Sequence, residues 1–181
     1  FMIIKYAELV KILFVIIPIT IVTIRMYFVY QILDTKKQLQ SEFDKTITNS
    51  MLILKPSLSA NIYNLEKQNV INSVKGLFIN ENIEKSIIFS EKKSVFFGVY
   101  IKEDKTVSEL PTDLKITDYT MESDLKNIQG VVISTNKTNK RIYVSSIIDS
   151  ESKRFDGVII VEADLNQVNK QIIKMILSAI I

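Results

Sequence analysis

The chain has 181 residues, a formal charge of +3, 47% hydrophobic residues, no Cys and no His. The missing Cys excludes disulfides, thiolate metal sites and cysteine nucleophiles, and the missing His removes the commonest general base and metal ligand. Of the 23 basic and 20 acidic residues, 19 of each fall between Asp34 and Lys170, so the middle is neutral and lacks the basic footprint of a nucleic-acid binder.

The first predicted element is a membrane span, Ile12–Leu33. As a helix, this segment is ~33 Å long, enough to cross a hydrocarbon core of about 30 Å. Ile12–Ile24 carries no charge. Arg25 then interrupts the run and must snorkel outward or face a partner helix. Tyr27, Phe28 and Tyr30 fit an aromatic belt at the same end, and Pro18 is tolerable inside a membrane helix. No small-residue cleavage pattern follows, which favours an uncleaved anchor over a signal peptide. Lys5 and Lys11 precede the span, so the positive-inside rule places the N-terminus in the cytoplasm, with Lys36 and Lys37 voting the other way.

From Asp34 the pattern predicts a long helix. Leu39, Phe43, Ile47, Met51, Leu54, Leu58, Ile62 and Leu65 recur at a mean spacing of about 3.7 residues, one stripe of a helix. Pro56 should kink this helix or divide it. The first half of the stripe, Leu39–Leu54, is expected to pair with a second copy, and the second half to pack on the domain. Asn64 is the expected N-cap of a second helix, Leu65–Phe78, with Val70, Ile71, Val74, Leu77 and Phe78 on its apolar face.

The period then falls toward 2. Ser86–Phe89 and Val95–Ile101 are predicted strands flanking the turn Glu91-Lys92-Lys93. Lys102–Asp124 is a long polar excursion with at most a short helix or edge strand. Three further strands follow, Val131–Ser134, Arg141–Ile148 and Gly157–Ala163, separated by polar loops. Asp164-Leu165-Asn166 caps an exit helix running into the terminal apolar segment IIKMILSAII. That segment is too short to span, and is expected to begin a second span; an apolar helix packed on the domain is the alternative. With Phe1 ahead of Met2, the chain reads as part of a longer polypeptide. The expected fold is α+β: two helices on a five-stranded antiparallel sheet, flanked by transmembrane helices. The expected divisions are 1–33, 34–170 and 171–181.

With this order in place, the chain resembles the single Cache family of extracytoplasmic sensors, whose fold is PAS-like. The resemblance rests on Leu58–Phe78, continues through Ile83–Tyr100, and ends on Asp156–Asn166, which looks like the last Cache strand and its Asp-Leu exit. It implies a bacterial transmembrane receptor that senses a ligand outside the cytoplasm, forms a homodimer through the N-terminal helix, and signals to a kinase, cyclase or chemoreceptor module. The amino-acid motif of the larger double Cache domains is not visible, so the ligand stays open.

No catalytic motif occurs, and no cofactor is expected. Glu103/Asp104 and Glu122/Asp124 are best read as solvated loop charges, not a metal site. Asn136-Lys137-Thr138 matches a glycosylation sequon by chance. The candidate ligand site lies on the sheet face opposite the long helix, beneath the excursion. Arg141, Tyr143 and Ser145 share one face of their strand; Phe96, Gly98 and Tyr100 share another, and Tyr119 reaches in. An Arg flanked by tyrosines can clamp an anionic ligand such as a carboxylate. The bland reading makes Arg141 a solvated charge and the Tyr rings core. A membrane-anchored structural subunit, pilin-like in layout, is the alternative function, although Lys5, Lys11 and Arg25 interrupt the apolar run such a subunit needs.

Overall fold

The apolar stripe of the long helix finds its partner in a six-stranded antiparallel sheet. The computed structural model describes residues 2–80, 82–92, 94–101, 107–110, 113–119, 125–128, 130–136 and 140–178. The pairs Glu103/Asp104 and Glu122/Asp124, Pro111, and most of the sequon lie outside the described residues. The chain divides into two compact units, Gln40–Gln167 and Phe1–Leu39 with Val168–Ile181.

Helix α1 runs from Met2 to Tyr63 and contributes to both units. Its N-terminal part contains the one described helix long and apolar enough to cross a membrane by length and composition, with a mean hydropathy of 1.7 over its best window. A soluble core helix would bury such a window; here 0% of it is buried. Apolar residues are exposed all round, the pattern of a membrane-associated helix. The hydroxyls of Thr20 and Thr23 donate to the carbonyls of Ile16 and Ile19, so these polar groups are satisfied within the helix.

In the Gln40–Gln167 unit, the sheet order is β3-β2-β1-β6-β5-β4. The strands are β1 (Ile83–Ser90), β2 (Val95–Ile101), β3 (Val107–Glu109), β4 (Val132–Thr135), β5 (Arg141–Ile148) and β6 (Phe155–Ala163). The expected five strands thus become six, because three residues of the excursion pair with β2 at the sheet edge. The two central strands, β1 and β6, alternate between two buried faces. Ile159, Val161 and Ala163 point one way, with Phe97, Val99, Tyr143 and the α1 residues Phe43, Ile47, Met51, Leu58 and Ile62 also buried. Val158 and Ile160 point the other way, into a core with Ile87, Phe89, Ile142, Val144, Ile116, Leu125 and Ile128.

One helix expectation narrows and one changes. Of a kink or a division at Pro56, the division does not occur: α1 is continuous there, and Pro56 is exposed, so the Leu52 carbonyl it leaves without a donor lies on the side open to water. Asn64 does not cap the second helix. Its N–H still bonds to the Ala60 carbonyl, Leu65 turns left-handed at φ 56°, and helix α2 begins only at Lys67 with Glu66 as N-cap. Val70 and Val74 are its buried face, and a 3-10 turn, Gly76–Ile79, completes the segment. Helix α3, Asn166–Ser178, follows β6.

Gly157 lies where β6 passes β1. A Cβ there would sit 2.1 Å from the Phe89 carbonyl oxygen, a backbone atom in the central pair. Gly157→Ala is therefore expected to destabilise the chain by about 3 kcal/mol, as overpacking against a fixed backbone does. Urea denaturation of the purified chain measures this; an unchanged midpoint would contradict the tight crossing.

Candidate functional site

The helix-facing side of β5 is a polar seam, not an open clamp. The Arg141 Nη2 donates to Asp44 Oδ2 on α1 at 2.7 Å, and the Tyr143 hydroxyl donates to Asp44 Oδ1 at 2.6 Å. Arg141 Nη1 also donates to Thr135 Oγ1 at 3.0 Å, while its Nε is buried without an acceptor. Ser145 Oγ donates to the Gly130 carbonyl and accepts from Lys55 Nζ at 3.1 Å. Burial lowers the Lys55 pKa; among the described residues its ammonium has a hydroxyl for a partner and no carboxylate.

This corrects the sequence expectation. Arg141, Tyr143 and Ser145 do share a face, but it is the face toward α1. Strand parity groups the residues; it cannot choose the side. The choice falls to Asp44, 97 residues upstream of Arg141, which supplies a charge partner on the helix. Arg141 is thereby committed within the fold. Gly98 and Tyr100 face away from α1, with the Leu110 side chain packed over Gly98. Phe96 falls out of step with them, because the register shifts from Ile88↔Phe97 to Phe89↔Val95 and leaves Phe96 as the bulged residue.

The opposite face carries the other charged cluster. Directly paired residues place Tyr100, Lys85, Glu162 and Ile142 in one row across β2, β1, β6 and β5. Glu162 is 7% exposed. Its carboxylate meets Lys85 Nζ at 3.2 Å and Lys140 Nζ at 3.6 Å, and Lys140 also pairs with Glu84. The hydrogen bond to Glu84 raises the Lys140 pKa. Tyr119, from the excursion, sits with its ring 5.6 Å from Lys85 Nζ and 6.5 Å from the Phe89 ring. Burial raises the Tyr119 pKa, against the opposing effect of Lys85. So Tyr100 and Tyr119 lie on the face first expected, and Lys85 and Glu162 stand where Arg141 was expected. The available signal was a charge inside an apolar strand, as Glu162 interrupts Val158–Ala163. Among the described residues, no group of three or more acidic side chains is placed to hold a metal.

Asp164 follows two residues after Glu162. Its backbone N–H donates to the Asn82 carbonyl at 2.9 Å, and its carboxylate accepts the N–H of Asn166, the first residue of α3. Strand β6 thus runs from the charged row directly into the start of α3.

No protein-family model and no curated protein matches this chain. Solved structures match its fold. The ligand-binding domain of the Campylobacter jejuni chemoreceptor Tlp3, in complex with L-norvaline, aligns with a TM-score of 0.58 at 14% identity, covering 78% of this chain and 58% of that one. The same domain in complex with 4-methylisoleucine gives 0.55 at 13% identity, with 76% and 57% covered. The extracellular domain of vpHK1S-Z8, assigned as a histidine kinase, gives 0.57 at 10% identity, with 78% and 59% covered. The chain thus spans under three fifths of the length of the domains it matches. At these identities the likeness is one of fold, and the expected α+β fold is the one these domains share.

The Asp44 seam makes a pH-dependent prediction. Burial, and then the bond to Asp44, push the Tyr143 phenol far above its ordinary value. Its stabilising contribution is fully present below the unfolded tyrosine pKa of about 10. Above that pH the unfolded chain releases the proton and the folded chain keeps it, so stability falls by up to about 1.4 kcal/mol per pH unit. Tyr143→Phe is expected to flatten this alkaline slope. Asp44→Ala is expected to cost about 2–3 kcal/mol at neutral pH, because it strands the Arg141 charge. Urea titrations between neutral pH and pH 11 read both effects.

Proposed function

We propose that this chain is the extracytoplasmic ligand-sensing part of a bacterial transmembrane receptor, with residues 34–170 as the sensor. In this reading the N-terminal part of α1 is an anchor with its N-terminus in the cytoplasm, and the terminal apolar segment begins a second span. The observation that carries it is the buried Glu162 between Lys85 and Lys140, beside the rings of Tyr100 and Tyr119 on the face away from α1. A buried ion pair adds little net stability, so its partners can be exchanged at small cost. A zwitterionic ligand would offer its carboxylate to the lysines and its ammonium to Glu162, keeping every charge paired. An aliphatic side chain would have to enter at the edge of the packed core of Phe89, Ile142 and Leu125, which is closed in this structure. The norvaline and 4-methylisoleucine complexes of the Tlp3 domain are of this ligand class. A small aliphatic amino acid is therefore the ligand we favour, in place of the simple anion expected from Arg141.

Glu162 and Asp164 give such a ligand an output. A ligand that engages Glu162 acts on the strand that feeds α3, and it biases a two-state equilibrium by its differential affinity for the two arrangements. The test is a thermal melt of the full chain in detergent micelles with norvaline, valine and isoleucine. A true ligand at 100 times its Kd adds about 2.7 kcal/mol of stability, a clear rise in Tm. Glu162→Gln should abolish the rise while the protein stays folded. No rise with any of the three, up to millimolar concentration, would refute the amino-acid assignment.

The dimer also needs a revised surface. Phe43, Ile47 and Met51, expected to meet a second copy, are buried under the chain's own sheet. The outward face of α1 remains, with Thr46, Asn49, Ile53, Pro56 and Ala60 spaced at three or four residues and exposed. Ile53, 77% exposed, is its apolar centre. We place the homodimer contact there. The chain has no native Cys, so Ile53→Cys should form disulfide-linked dimers under mild oxidant, and Lys45→Cys, toward the edge of that face, should cross-link less. Equal cross-linking at both sites would remove the assignment.

A further inference from the structure

Three chain connections meet at the pole of the Gln40–Gln167 unit opposite the end where residues 40 and 167 enter and leave it. They enclose a cleft of about 290 Å³. The size is close to the lower limit for pockets that hold small organic ligands. The cleft lies at the far end of the sheet from the Lys85–Glu162 row, since Gly157 pairs with Ser90 at the pole while Lys85 and Ile83 pair with Glu162 and Ala163 at the other end.

Its walls are of two kinds. Ile62, Leu65 and the bulged Phe96 supply apolar surface. Arg154 and Lys92 supply positive charge. Arg154 is held in place: its Nε donates to Asp156 Oδ1 at 2.5 Å, and its guanidinium lies 3.8 Å from the centre of the Tyr63 ring. Asp156 is itself fixed by the Ser59 hydroxyl at 2.5 Å. Among the described residues, the two terminal nitrogens of Arg154 have no acceptor, and Lys92 has no carboxylate partner. A guanidinium locked by its Nε and by a ring face, with its outer edge unused, is oriented to receive a carboxylate.

The backbone points to the same place. The two non-glycine residues with positive φ among the described residues are Leu65, at 56°, and Lys153, at 57°. Leu65 lines the cleft, and Lys153 precedes Arg154. A leucine in the left-handed region is strained. Leu65 is also 76% exposed, so burial does not compensate the strain. The strained, exposed leucine presents its side chain to the cleft as a wall.

We propose that this cleft is a second binding site, for a small monoanionic carboxylate with an aromatic or branched aliphatic body. The carboxylate sits on the free edge of Arg154, near Lys92, and the body lies against Phe96, Ile62 and Leu65. Glu91, also in the lining, disfavours a second negative charge and so selects against dianions. The site is independent of the amino-acid site on the opposite face.

Isothermal titration of phenylacetate into the full chain in detergent micelles tests it. Saturable binding is expected, about tenfold tighter than to neutral 2-phenylethanol. Arg154→Gln should weaken phenylacetate by about tenfold or more. Because Arg154 also holds Asp156, Phe96→Ala and Lys92→Gln provide folded variants for the same test, each expected to weaken binding several-fold. Leu65→Gly should raise Tm by relieving the backbone while weakening phenylacetate. Absence of saturable binding, or full affinity retained in Arg154→Gln or in Phe96→Ala, would overturn the proposal.

Discussion

Everything in the Gln40–Gln167 unit depends on one act of burial: the stripe of α1 lies under the sheet. Phe43, Ile47, Met51, Leu58 and Ile62 are each less than 9% exposed, and a fully buried side chain of this kind contributes about 1.5–3 kcal/mol. No other helix among the described residues covers that face at comparable length. The polar contacts along the same boundary set where the helix lies. Asp44 reaches Arg141 and Tyr143 near one end, Lys55 reaches Ser145 in the middle, and Ser59 reaches Asp156 near the other. Apolar contact is tolerant of sliding; three spaced hydrogen-bonding contacts are not. Together they fix the helix along its own axis.

That division of labour explains which parts of the chain were legible in its sequence. Val95–Ile101 and Arg141–Ile148 are strands with the bounds expected, because β-branched and aromatic runs ending in polar residues leave little choice. The apolar stripe was equally plain. Its partner was not, because a stripe at helical spacing serves a second helix and a sheet equally well, and the sheet that takes it lies far downstream. The same holds for Arg141, whose partner is Asp44 on α1. By its sequence the excursion holds at most a short helix or edge strand, and the position of that strand, β3, was hidden for a different reason. Val-Ser-Glu is too short to carry a periodic signal, and its place comes from pairing with β2.

The candidate ligand row carries a local signal in the sequence. Glu162 sits in Val158–Ala163, and Lys85 lies two residues before Ile87 in β1. A charge in a strand buried on both faces has no route to solvent, so it demands a partner. Glu162 is such a charge, and a half-buried lysine in the adjacent strand, Lys85, is the partner it predicts. Tyr119 was legible as a residue reaching inward, since it is an aromatic in an otherwise polar excursion. What it reaches, the ring of Phe89 and the ammonium of Lys85, needed the register of β1 against β6.

Strand β6 then joins the two faces mechanically. Alternate residues of this one strand serve both cores: Ile159, Val161 and Ala163 pack toward α1, and Val158, Ile160 and Glu162 pack toward the excursion. A close-packed interior does not absorb displacement gradually, so movement of β6 on one side must be met by repacking on the other. Any change in the pairing of Glu162 therefore acts on a strand that also carries the α1 core. Two residues on, Asp164 joins the same strand to α3: its carboxylate accepts the N–H of Asn166 and its own N–H is tied to Asn82. The charge that makes this strand costly to bury therefore sits at the point where the two cores and the start of α3 meet.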